Sequence, residues 1–189
     1  MTRAAIALLA LTFVLPAAAA EETYTIDSVH SQPLYEVRHM GFSLQRGSFA
    51  KASGKITLDR AAKTGTVNVL IDPSSMRSGD SRLDNVLKGE GFFNVERFPA
   101  LTFRSSSVRF DGERLVEVVG DFTMLGVTRP VTLKVDNFVC GDQPFNKKPM
   151  CGAEVATTIK RSDWGMTRGI PLAPADEVKI AIPVEAYRD

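Results

Sequence analysis

The sequence predicts an all-β chain of about eight antiparallel strands with one short helix, folded as an up-and-down barrel or a sandwich. Three observations predict it. Apolar and polar residues alternate strictly in run after run, turn signals separate the runs, and a single stretch carries helical spacing.

The strands follow in order. Runs near 32–40 and 49–58 come first, and Asp59 to Gly65 reads as a turn. Val67, Val69 and Ile71 then alternate with Thr66, Asn68 and Leu70. The helix comes next: Ser81 is placed to cap it, Leu83, Val86 and Leu87 share one face, and Gly89 stops it. Runs near 100–110 and 115–123 are joined at Asp111-Gly112, a strong hairpin signal, and Leu125-Gly126 marks another turn. Val131, Leu133 and Val135 alternate in the next strand, and Ala153, Val155, Thr157 and Ile159 in the one after. Val178, Ile180, Ile182 and Val184 form the apolar face of the last. One curved sheet around an apolar interior fits this pattern. An eight-stranded barrel can hold one small ligand, although periodicity alone does not separate a ligand cavity from a packed core.

Composition narrows the function. The chain has 189 residues, 44% hydrophobic and 24% charged, with 23 Lys+Arg against 22 Asp+Glu. That balance excludes a strong basic field for nucleic acid and an acidic solvating tail. Two Cys and two His exclude a Cys-rich scaffold and a four-Cys zinc site, and no metal is expected.

Residues 1–20 have the layout of a secretory signal peptide. Arg3 precedes an apolar run from Ala4 to Leu15, Pro16 breaks it, and Ala17 to Ala20 offers a cleavage site. Cleavage after Ala20 is expected, leaving residues 21–189 as a periplasmic or secreted domain. Loss of Arg3 brings acidic and basic residues into balance. In an oxidising compartment Cys140 and Cys151 read as one disulfide pinning a hairpin, since their spacing is not that of a C-x-x-C redox pair.

Catalytic motifs do not emerge. Gly89-Glu90-Gly91 begins like a dinucleotide loop, but Asn94 stands at the third glycine position and no βαβ unit surrounds it. No nucleophile elbow, phosphate loop or H-E-x-x-H occurs in the sequence. The expectation is a binding protein rather than an enzyme, without a cofactor. His39 shares a strand face with Tyr35 and Val37 and is expected to point inward, where a polar group needs a partner. Phe is abundant and Trp and Tyr are scarce, which suits a hydrocarbon chain better than a sugar or nucleotide.

Several ordered blocks resemble the YceI-like polyisoprenoid-binding family. They are Tyr24-Thr25-Ile26-Asp27-Ser28-Val29-His30-Ser31, Val37 to Ser43, Gly47-Ser48-Phe49, Gly91 to Pro99, Thr102-Phe103, Gly120 to Val131 and Arg161 to Met166. The loop Cys140 to Gly152 is similar to that of one branch. The resemblance implies an extended lipocalin-like barrel of eight antiparallel strands around a long apolar tunnel. It implies an isoprenoid quinone, polyprenyl phosphate or related long-chain amphiphile as the bound lipid, held for storage or transport. Carried over by position, His30, Ser31, His39, Arg161 and Asp163 are the polar ligand-binding candidates. Phe42, Phe49, Phe92, Phe93, Phe103, Phe122 and Trp164 would line or close the tunnel. Val86 departs from the pattern, standing where many relatives carry a His, so a head-group contact made there would be missing. A fatty acid or fatty amide binder, an enzyme acting on an isoprenoid lipid, and a packed interaction protein stay open as alternatives, as does a homodimer.

Overall fold

A computed structural model describes residues 21–189, so the signal peptide expected over residues 1–20 lies outside the described residues. The elements are β1 (Glu22–Ile26), β2 (Leu34–His39), β3 (Ser43–Phe49), β4 (Ala52–Asp59), β5 (Thr64–Ile71), β6 (Met76–Arg77), α1 (Ser81–Lys88), β7 (Leu101–Asp111), β8 (Arg114–Met124), β9 (Val127–Asp142), β10 (Pro149–Lys160) and β11 (Glu177–Arg188). All the strands belong to one antiparallel sheet, which closes on itself where β1 meets β11.

Two barrel strands are broken. β1 pairs with β4 and with the C-terminal end of β11, while β2 pairs with β3 and with the N-terminal half of β11. β1 and β2 are therefore two halves of one strand, and β3 and β4 two halves of the next. The two-residue β6 pairs with β3 as β5 pairs with β4, so it continues β5, and counted this way the closed barrel has eight strands in meander order, as the alternation predicts. The runs read near 32–40 and 49–58 coincide with β2 and β4. The halves β1 and β3 did not stand out as runs of their own.

One end of the barrel carries the first and last described residues and the turns after β4, β7 and β9. The opposite end carries the β2–β3 hairpin, the long connection containing α1, the Leu125-Gly126 turn and the connection between β10 and β11. We call these the terminal end and the helix end. The Asp111-Gly112 signal is a hairpin as read, with Gly112 at φ 61. Leu125 (φ 52) and Gly126 (φ 76) make a two-residue loop whose left-handed backbone matches the twist of the strands it joins. The helix cap lies one residue earlier than expected: the Asp80 carboxylate, not Ser81, accepts the Arg82 amide at 2.8 Å.

Packing differs along the axis. Near the terminal end Tyr24, Leu58, Leu115, Cys151 and Ala186 are buried together as an apolar plug. Cys140 and Cys151, cross-strand partners of β9 and β10, are joined there by the disulfide. β10 and β11 behave otherwise. Val155, Thr157 and Ile159, and Val178, Ile180, Ile182 and Val184, alternate with exposed residues yet are only half-buried. An inward side chain that stays half-open faces empty space rather than another side chain. The barrel is hollow on that side.

Candidate functional site

The space inside includes two cavities in line. The one toward the helix end has a volume of about 150 Å³, and the one toward the terminal end about 90 Å³. Pro33, Val69, Leu133 and Ile182 border both, so these four side chains form a ring where the chambers meet. Pro33 stands there because the barrel strand breaks between β1 and β2, and the connecting loop folds against the axis.

Phe49, Phe92, Phe93, Phe103 and Phe122 all line the helix-end cavity. Phe49 and Phe103 come from strands, whereas Phe92 and Phe93 descend from the segment after α1. The Phe49 and Phe93 rings meet edge-on with centroids 5.5 Å apart. Trp164 is buried one layer behind the wall. Its ring lies 5.5 Å from that of Phe122, and its indole N–H donates to the Phe122 carbonyl at 3.1 Å. Phe42 is not part of the wall. It sits in the β2–β3 loop, 92% exposed, because the hairpin runs past the rim of the barrel.

The polar candidates disperse. The Arg161 side chain is buried at the helix end and borders the cavity, but its donors are spent on the backbone. Nε donates to the Ala175 carbonyl (2.9 Å), Nη1 to Met166 (2.8 Å), and Nη2 to Arg168 (2.9 Å) and Pro174 (2.7 Å). It clamps the β10–β11 connection shut over the barrel end. Burial lowers its pKa, and the nearby Asp176 carboxylate opposes that shift. Asp163 faces solvent, and its carbonyl accepts from Arg129 Nε at 3.1 Å. The carboxylate working beside Arg161 is Asp176, which accepts from the Ser162 amide (2.9 Å) and hydroxyl (2.8 Å).

His30 and Ser31 belong to the strand break. Ser31 borders the terminal-end cavity, yet its hydroxyl is bonded to the Glu185 backbone. His30 is exposed outside the barrel, with Nδ1 2.7 Å from Asp27 Oδ2 and 3.9 Å from Glu185 Oε2. The hydrogen bond to Asp27 raises the His30 pKa, and the same bond lowers that of Asp27. Asp27, His30 and Glu185 bring three potential metal-ligand atoms within 4.8 Å of one another. Two of the three side chains are already engaged, however, since Asp27 holds both His30 and the Val29 amide. His39 is half-buried at the end of β2, two residues beyond the lining residue Val37, and does not border either cavity.

Tyr35 is one of the lining residues outside the candidate set. Its ring lies across Gly47, its cross-strand partner, where any Cβ would collide with it. Burial, reinforced by the Asp84 charge, pushes its hydroxyl pKa up to about 12. The signal was present in the alternation that places Tyr35 on the same face as Val37. Together these walls accept hydrocarbon and offer a charged group no free partner within.

The YceI-like domain matches residues 24–186. The chain belongs to the YceI-like domain family. The protein YceI of Salmonella arizonae is 35% identical to it over 174 residues, 91% of this chain and 89% of that protein. Among solved structures, BcnA of Burkholderia cenocepacia superposes with a TM-score of 0.73 at 24% identity, covering 85% of this chain and 98% of its own. A polyisoprenoid binding domain from Saccharophagus degradans superposes with a TM-score of 0.66 at 16% identity, covering 88% and 98%. The YceI-like barrel is thus the shared feature.

Proposed function

We propose that this protein carries or stores a long-chain isoprenoid lipid, a quinone or a polyprenyl phosphate, with the tail in the axial tunnel. The observation that carries this reading is the pair of apolar cavities in line behind a wall of five phenylalanines. Each buried CH₂ contributes about 0.8 kcal/mol, so a tail of several isoprene units offsets the ordering costs of binding. The head group rests at the helix end. The polyisoprenoid binding domain of Saccharophagus degradans, which shares the fold, supports this cargo class. The disulfide supports a periplasmic or secreted setting, with the chain starting at Glu21 after cleavage.

The role is binding rather than catalysis. Arg161, the charged residue on the cavity wall, is spent on four carbonyls and is not available to a reacting group. A shorter cargo, a fatty acid or fatty amide, is the second reading, favoured by the narrowing at Val69, Leu133 and Ile182. Mass spectrometry of lipid extracted from natively purified protein separates the two. An isoprenoid amphiphile is expected. Recovery of no amphiphile, together with no uptake of added quinone or polyprenyl lipid, overturns the proposal.

A further inference from the structure

The hairpin that removes Phe42 from the tunnel wall gives it another setting. Phe42 is 92% exposed and Met40 51% exposed in the same three-residue loop. Left-handed backbone at Met40 (φ 53) and Gly41 (φ 76) holds the loop in one shape. Leu172, 62% exposed, stands in the β10–β11 connection, and its carbonyl accepts the Met40 amide at 2.6 Å. Two separate loops are thereby tied into one apolar crest at the helix end. The connection contributing Leu172 is itself clamped by Arg161. The crest is a built surface, not a stray side chain.

Its position and charge indicate what it meets. Pro174, two residues from Leu172, and Val37, three from Met40, both line the helix-end cavity, so crest and cavity share a rim. Residues 37–47 and 166–175 hold Arg38, Arg46 and Arg168 and no Asp or Glu. Glu36 occupies Arg46, which leaves Arg38 beside the crest together with the exposed Arg168, whose guanidinium lies over the Phe92 ring, 5.6 Å from its centroid. Apolar side chains at a tip with cations around them match an anionic bilayer surface, where apolar burial and attraction to phosphates add.

We propose that this crest docks on an anionic lipid bilayer. Met40, Phe42 and Leu172 enter the head-group layer, and Arg38 and Arg168 lie against phosphates. The inference rests on the lipid-cargo reading, because a hydrocarbon tail moving between bilayer and tunnel through this rim need not cross water. The terminal end supplies the contrast. Phe145 is also 92% exposed there, with Lys147 and Lys148 in the same turn, but the plug of Tyr24, Leu58 and Leu115 closes that end, so no open cavity rim adjoins it.

Flotation of the purified protein with phosphatidylglycerol–phosphatidylcholine vesicles, and with phosphatidylcholine vesicles alone, tests the docking. The wild type is expected to float with the anionic vesicles. Phe42→Ser combined with Leu172→Ser should weaken flotation about tenfold or more, and Phe145→Ser should leave it unchanged. Circular dichroism confirms that each variant is folded. A wild type that floats with neither vesicle, or a Phe42/Leu172 variant that floats as well as wild type, overturns the proposal. So does a wild-type dimer in sedimentation that the same variant converts to monomer, since the crest would then cover a second copy. Uptake of a short-tailed quinone is measured without vesicles and should be equal in all three proteins. Failure of uptake alone refutes the cargo reading, and failure of flotation alone refutes the docking.

Discussion

The Ser31 hydroxyl accepts the Glu185 amide at 2.9 Å and donates to the Glu185 carbonyl at 3.1 Å, doing for β11 what a paired strand does elsewhere. It sits where the barrel strand breaks between β1 and β2. The Asp27 amide adds a second bond to the same carbonyl at 2.9 Å. Ser31→Ala therefore strands the Glu185 amide more than its carbonyl. A loss of about 1–3 kcal/mol is expected in urea unfolding. An unchanged urea midpoint would falsify this role for Ser31.

The ring between the chambers controls how long a tail fits. Ile182 borders both cavities, and a larger side chain there closes the passage. Ile182→Trp is expected to weaken a long-tailed quinone about tenfold or more and to leave a short-tailed one nearly unaffected. Titration of both ligands against the variant checks it. Equal losses for the two tails would mean that the chambers do not act in series.

The Cys140–Cys151 bond closes a short loop, with a sequence separation of 11. The chain-entropy relation assigns such a loop about 3 kcal/mol. Replacing both residues by Ser should lower thermal stability by that order, and reductant should then have no further effect on the variant. If reductant leaves the wild-type melting curve in place, the bond contributes little.

Asp27 and His30 give stability a pH window. The His30 pKa is raised in the fold, so its contribution is complete below the ordinary imidazole range and fades as pH rises through the folded value. The Asp27 pKa is lowered, so its contribution is complete above the ordinary carboxylate range and fades as pH falls through the folded value. The pair therefore acts mainly between about pH 4 and pH 6.5. The gap in melting temperature between wild type and His30→Gln should be widest there and narrow above neutral pH. A gap of constant width from pH 5 to pH 8 points to a source other than the ion pair.

What could be read without coordinates divides along physical lines. Ile180 and Ile182 were legible as inward-facing because a wall with one wet face imposes a period of two on the residues themselves. The break after Ile26 was not, because Ser31 replaces ladder bonds with a side chain and leaves no periodicity behind. Among the aromatics, Phe49 and Phe103 follow from strand phase. Phe42 does not, since only the length of the hairpin beyond the rim decides whether it faces cavity or solvent. Arg161 shows the same limit for polar groups. Its type announces a charge, but the carbonyls that absorb it come from Met166, Arg168, Pro174 and Ala175, residues whose sequence gives no donor or acceptor pattern of its own.

The half-open inner faces of β10 and β11 also bear on mechanical softness. A folded chain that encloses empty space takes up more volume than its atoms require, and unfolding gives that volume back to the solvent. Hydrostatic pressure should therefore unfold the empty barrel more readily than a solid one of equal thermal stability. A tail threaded along the axis would remove the excess volume, so loading would raise the pressure at which the barrel gives way.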